Sequence, residues 1–191
     1  MFFLYACAWT TLNSIKNPEF RNKKFTKILI IAPFSDLGVR QSTEEAFKKQ
    51  FELAGIPSVP SIELFPPIKN YSEEEIMKIL RENNIEGILV VALKRYWNSK
   101  VYIPKTSSTQ GSANLYGNSL VFQTYTRESG GYYITKPRAT FEIRLYDANT
   151  GKIAWLATSF TRGNAFADSN TLLTSLAKTT VKRLLKENIL R

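Results

Sequence analysis

The chain has 191 residues, 43% of them hydrophobic and 13% aromatic, enough for one domain with a packed core. It contains no histidine and a single cysteine, Cys7, so an internal disulfide, a thiolate metal cluster and any Ser-His-Asp chemistry are excluded. The formal charge is +10 with 16 carboxylates; the basic residues form no long run, so the excess reads first as a solubilising surface and second as affinity for a polyanion.

Residues 1–9 read MFFLYACAW. Leu4, Tyr5, Ala6 and Cys7 place a branched apolar residue three before a cysteine and a small residue just before it, which resembles a bacterial lipobox. That resemblance implies a lipid on the Cys7 sulfur, and Ala8 behind it implies the outer membrane, with the protein on its periplasmic face. The apolar stretch is shorter than a signal core of about 7–15 residues, so the expectation is of a longer leader ahead of Met1. The competing reading makes Phe2, Phe3, Leu4 and Trp9 a buried strand and Cys7 an inert core thiol. Residues 10–24 have few apolar side chains and read as a tether. The expected organisation is therefore a lipobox remnant and tether over 1–24 and one α/β domain over 25–191.

Residues 27–34, KILIIAPF, form a short continuous apolar run ended by proline, as in a strand covered on both faces. Ser42 with Glu45 suggests a capping box opening a helix that carries Ala46, Phe47, Phe51 and Ala54 on one face and stops at Gly55. Residues 56–67 are proline-rich and allow a short strand at Ser58-Val59 and Ser61-Ile62 at most. Ser72 with Glu75 repeats the capping pattern, Ile76, Ile79 and Leu80 follow, and the helix ends near Asn83-Asn84. Residues 86–93, EGILVVAL, form a second buried-type strand. Strand, helix, weak strand, helix, strand in this order argues a right-handed, partly parallel unit.

Residues 94–138 carry seven Lys or Arg side chains against one acid, Glu128, together with seven Tyr or Trp rings. The pattern predicts a strand through Lys100, a mobile loop over 106–119, a strand near 120–126 and a turn at Gly130-Gly131. This is the candidate partner surface: Arg95, Tyr96, Trp97, Lys100, Tyr102, Lys105, Tyr125, Arg127, Tyr132 and Tyr133. Aromatics beside Arg and Lys suit single-stranded nucleic acid and also suit the polar face of an antiparallel sheet.

From 139 to 161 the chain reads ATFEIRLYDANTGKIAWLATSFT. Thr140, Glu142 and Arg144 alternate with Phe141, Ile143 and Leu145, a strand with one dry face. Asp147 to Gly151 reverse the chain, with Gly151 suited to a positive φ. Ile153, Trp155 and Ala157 return. Residues 162–167 read as a loop, and Asp168 or Ser169 then caps a helix whose Leu173, Leu176, Ala177, Thr180 and Leu184 face the sheet. The whole predicts a mixed sheet of about five to six strands with helices packed on it and a long helix at the end.

Recognised chemistry is absent. Gly151-Lys152 lacks the rest of a phosphate loop, and Gly38 with Gly55 makes no dinucleotide fingerprint. Asp36 sits where α/β sheets keep ligands, though a turn aspartate is by default a local cap.

The first strand KILIIAPF, the strand EGILVVAL, the Asp147…Thr150-Gly151-Lys152…Trp155 hairpin and the long closing helix together resemble a superfamily of bacterial envelope lipoproteins. It includes the curli-secretion lipoprotein, the lipoprotein activators of penicillin-binding proteins and the N-terminal domain of the Tol-Pal propeller protein. The resemblance spans about residues 25–190, with Cys7 as the anchor. It implies an open α/β sandwich, a periplasmic location and work through protein contacts, and it contributes no catalytic residue; no cofactor or metal is expected. Two alternatives stand beside it: a cytosolic nucleic-acid-binding domain, and a small-molecule module using the loop from Pro33 to Gly38.

Overall fold

The computed structural model describes residues 6–116 and 119–191, with the backbone alone described over 109–116 and 119–125. The hairpin expected from residues 139–161 is its centre. Strand β7 (Tyr132–Asp147) and strand β8 (Ile153–Gly163) pair antiparallel. Ala139, Phe141, Ile143 and Leu145 point into one core, and Trp155 in the return strand is fully buried. The turn between them is held by Asp147, whose carboxylate accepts from the Asn149 N–H at 3.2 Å and the Thr150 hydroxyl at 3.1 Å. Gly151 sits there at φ 69°, a conformation that costs a residue with a Cβ.

The expected tether is not a tether. Strand β1 (Ala8–Lys16) lies antiparallel along β8, from Ala8 opposite Gly163 to Lys16 opposite Trp155. Thr10 and Leu12 are buried, and the Thr10 hydroxyl meets those of Thr161 at 3.0 Å and Ser175 at 2.9 Å. Inward threonines hydrogen-bonded to one another look polar in sequence, and an edge strand needs only one dry face. A single 3₁₀ turn (Pro18–Phe20) then tucks Phe20 into the core.

Strand β2 (Ile28–Ile31) pairs parallel with strand β3 (Ser58–Pro60) on one side and strand β4 (Gly87–Ile103) on the other. The sheet order is β1-β8-β7-β4-β2-β3, six strands with a mixed pattern. Helix α1 (Leu37–Leu53) begins five residues before Ser42, because the Asp36 carboxylate accepts from the Val39 N–H at 2.8 Å and caps it there. Two turns in, Glu44 is completely buried. It accepts from Ala32 N–H, Ile62 N–H, the Ser61 hydroxyl and the Arg40 guanidinium, tying β2, α1 and the short helix α2 (Ser61–Leu64) together. Ser61 and Ile62 thus belong to a helical turn rather than to the weak strand.

Helix α3 (Glu73–Glu82) carries the Ser72–Glu75 capping box as expected, and helix α4 (Ser169–Lys186) is capped by Asp168. Helices α1 and α4 cover one face of the sheet, where Phe47, Phe51, Leu172 and Leu176 join Phe141, Ile143 and Trp155 in the main core. Helix α3 covers only part of the opposite face, where its Leu80, and Ile85 just beyond its end, cluster with Leu29.

Residues 106–119 differ from the expected loop. Strand β5 (Thr106–Tyr116) pairs antiparallel with strand β6 (Ser119–Ser129) as a separate two-stranded sheet. TSSTQGSANLY has almost no apolar alternation, so nothing in it announces a strand; backbone pairing makes one. At Gly130 (φ 92°) an added Cβ would lie 2.0 Å from the Pro104 carbonyl oxygen, so the turn expected there requires glycine.

Candidate membrane anchor and contact surface

Cys7 is exposed, immediately before β1. Its N–H donates to the Asn164 side-chain oxygen at 3.3 Å, and the Asn164 N–H donates to the Cys7 carbonyl at 2.9 Å. The Cys7 backbone is therefore held against the end of the sheet, with no spacer between the residue that carries the thiol and the folded strand. Trp9 is 67% exposed, so neither it nor Cys7 is the interior residue of the competing reading. Phe2, Phe3, Leu4 and Tyr5 lie outside the described residues.

Beside Cys7 runs an open groove of about 800 Å³ between the start of β1 and α4, reaching Ser175 and Lys178. The Asp168 carboxylate on its rim is spent on the helix. The Thr171 hydroxyl donates to it at 2.6 Å and the Thr171 N–H at 2.8 Å, and these bonds hold its carboxyl below the ordinary aspartate range.

The expected contact residues lie mostly on one arm but not on one face. Beyond a bulge between Leu93 and Arg95, strands β4 and β7 continue past the helices as a paired ribbon. Arg95 and Trp97 face the side away from α1 and α4. There Trp97 stacks on Phe160, with ring centroids 5.7 Å apart and planes at 14°, and the Arg95 guanidinium lies 4.9 Å from the Trp97 centroid. Tyr96, Lys100 and Tyr102 alternate to the other side. Tyr96 lines a small apolar pocket with Phe34, Leu93 and Phe141, and Tyr102 meets Tyr133 at 5.1 Å. Tyr132 and Tyr133 are exposed, the latter by 70%. Lys105 pairs with Glu128 at 2.8 Å, and Arg127 on β6 is exposed. Tyr125 lies on β6 opposite Gln110; its side chain falls outside the described residues.

Sequence reasoning missed Trp9, Phe160 and Arg162. The Arg162 guanidinium lies 5.2 Å from the Trp9 ring and 5.5 Å from Phe160, which extends the Trp97–Arg95 stack across the open face of β8 to β1. The signal was there in β8, where Leu156, Thr158, Phe160 and Arg162 alternate with buried residues. Trp9 was hidden because an apolar N-terminus reads as leader.

The loop at Pro33–Gly38 offers little to a small molecule. Asp36 is spent on the α1 cap, and the neighbouring pocket that includes Phe34 and Val39 holds about 70 Å³, against roughly 300 Å³ or more for a ligand site. Among the described residues no group of three or more Asp, Glu or Cys could hold a metal ion, and no helix is long and apolar enough to cross a membrane.

No protein-family model matches the chain, and no curated protein matches it. Solved structures do. A dodecamer of a PelC point variant from Paraburkholderia phytofirmans is similar at 14% identity with a TM-score of 0.51, over 95% of this chain and 99% of that one. A second PelC dodecamer structure from that organism gives 14% identity and a TM-score of 0.48 over the same shares. Lipoprotein GNA1162 from Neisseria meningitidis is 16% identical with a TM-score of 0.44, over 84% of this chain and 99% of that one. At this level the first PelC likeness is one of fold, and it agrees with the mixed α/β architecture.

Proposed function

We propose that this protein is a lipid-anchored component of the bacterial cell envelope, held by acyl chains on Cys7 at the periplasmic face of the outer membrane, and that it works through protein contacts without a reaction of its own. The observation that carries this is the placement of the chain's one thiol. It stands exposed at the first residue before the folded sheet, where a membrane enzyme can reach it and where added acyl chains would meet no packed core. Reading the protein as non-enzymatic is supported by the absence of histidine and by the use of Glu44, Asp147 and Asp168 in structural bonds. The similar PelC structures are dodecamers, and we extend to this chain the expectation that several copies work together.

Metabolic labelling with a clickable palmitate analogue tests the anchor. The wild-type protein is expected in the membrane fraction carrying label, and Cys7→Ala is expected to lose both. A Cys7→Ala protein that stays labelled and membrane-bound ends the reading. A second reading is favoured by the stacked aromatic and guanidinium face: single-stranded nucleic acid in the cytosol. It predicts tight oligonucleotide binding at low salt that weakens steeply as salt rises.

A further inference from the structure

We infer that the anchored protein sits flush on the bilayer, with the β4–β7 arm reaching the lipid headgroups, rather than standing off on a tether. The inference rests on Cys7 as the anchor point and adds how the body is oriented. The first argument is length. Cys7 is bonded in both directions to Asn164, and Ala8 already pairs with Gly163. One residue spans at most about 3.6 Å, so a lipid on that sulfur leaves the end of the sheet no distance from the membrane surface.

The second argument is register. Trp9 lies opposite Arg162, Arg162 opposite Arg138, and Arg138 opposite Trp97. This row crosses β1, β8, β7 and β4 at the end of the sheet where Cys7 stands. The arm leaves from that same row. Six further pairs, from Asn98 opposite Pro137 to Ile103 opposite Tyr132, continue it. Cys7 stands two residues beyond Trp9 in the same direction. The pairs from Lys100 opposite Thr135 onward therefore lie past the level of the anchor, about 14 Å at roughly 3.4 Å per residue. A ribbon that continues beyond a membrane-held residue runs into the headgroup layer.

The third argument is chemistry. Trp9 and Phe166 are exposed at the anchor end, and Tyr102, Tyr132 and Tyr133 are exposed on the arm. Tyrosine and tryptophan favour the membrane–water interface, where the ring is dry and the polar atom wet. Exposed cations accompany them, Lys100 on β4, Arg127 on β6 and Arg162 on β8 among them, while the one acid of residues 94–138, Glu128 on β6, is already paired with Lys105. Such a surface is drawn to anionic lipid, and it supplies the second signal that firm anchoring needs beside an acyl chain.

Because Cys7 is the sole thiol of these 191 residues, the purified chain can be coupled through it to a maleimide-headgroup lipid in phosphatidylcholine–phosphatidylglycerol vesicles. Coupling bypasses cellular acylation, so its result is independent of the palmitate experiment. In a Trp97→Phe background the remaining indoles are Trp9 and the buried Trp155. We expect several-fold quenching of Trp9 emission by lipids brominated near the headgroup, and most of that quenching lost when a long Gly-Ser spacer is inserted between Cys7 and Ala8. Separately, the uncoupled Tyr102→Ser/Tyr133→Ser variant, with an unchanged circular dichroism spectrum, is expected to bind anionic vesicles several-fold more weakly than wild type. Trp9 emission indifferent to brominated lipid overturns the inference, as does equal vesicle binding by the arm variant. Release of entrapped dye would mean an arm that spans the bilayer, and would overturn it too.

Discussion

Strands β4 and β7 run through two regions with opposite physics. In the body, Leu89, Val91, Ile143 and Leu145 alternate into a core roofed by α1 and α4, and all four are fully buried. A few residues on, the same two strands carry Lys100, Tyr102, Tyr132 and Tyr133 into solvent. The pairing register continues across both regions, shifted only by the bulge between Leu93 and Arg95. Burial holds the body, whereas backbone hydrogen bonds and cross-strand rings hold the arm. The contrast separates a scaffold from a surface within a single pair of strands.

Truncating one ring in each region tests that separation most strongly. Trp155 is 0% exposed, and its indole N–H donates to Glu187 at 2.6 Å. Trp155→Ala leaves a cavity and a carboxylate short of one donor, and should cost about 3–5 kcal/mol in urea unfolding. Tyr133→Ala on the arm should change stability by no more than about 0.5 kcal/mol. Comparable losses from both would show that the arm belongs to the cooperative core.

A second break targets the knot that the helical pattern concealed. Glu44→Ala strips the partner from Ala32 N–H, Ile62 N–H, the Ser61 hydroxyl and Arg40 at once. Removing one member of a buried charged network leaves the others unpaired, at a cost of about 3 kcal/mol. Glu44→Gln, which keeps an acceptor oxygen, should cost less. Equal midpoints for wild type and Glu44→Ala in chemical unfolding would refute the role.

Much of the body was legible because its elements carry strong periodic signals. The KILIIAPF and EGILVVAL runs, the Asp147–Gly151 reversal and the α4 stripe all fall where the pattern put them. Strand β1 was not legible. Its inward Thr10 is satisfied by Thr161 and Ser175, partners more than a hundred and fifty residues away that no local pattern reveals. The start of α1 was misplaced because Asp36 is as good a cap as Ser42 and tertiary fit chose between them. On the arm, composition singled out the aromatic and basic residues, but the sides they face depend on the bulge, which no periodicity shows. Trp9 joined the surface only once β1 was paired beside Arg162.

The smallest loss expected within the body lies at the turn that closes it, and its sign follows from one carboxylate. Burial by itself would raise the Asp147 carboxyl. It is outweighed by bonds to the charged form from Lys23 at 2.9 Å, the Asn149 N–H and Thr150, so the group sits below the ordinary aspartate range. The unfolded chain therefore takes up this proton at a higher pH than the folded one. The stabilisation is complete above the ordinary aspartate value of about 3.9 and drains away as pH falls through the lower folded value. Asp147→Asn should cost about 1 kcal/mol at neutral pH and should flatten the acid limb of stability against pH, so that the two curves converge below that window. Urea midpoints measured across the acid range provide the check. Parallel curves would mean that Lys23 and the turn hold the hairpin without the charge on Asp147.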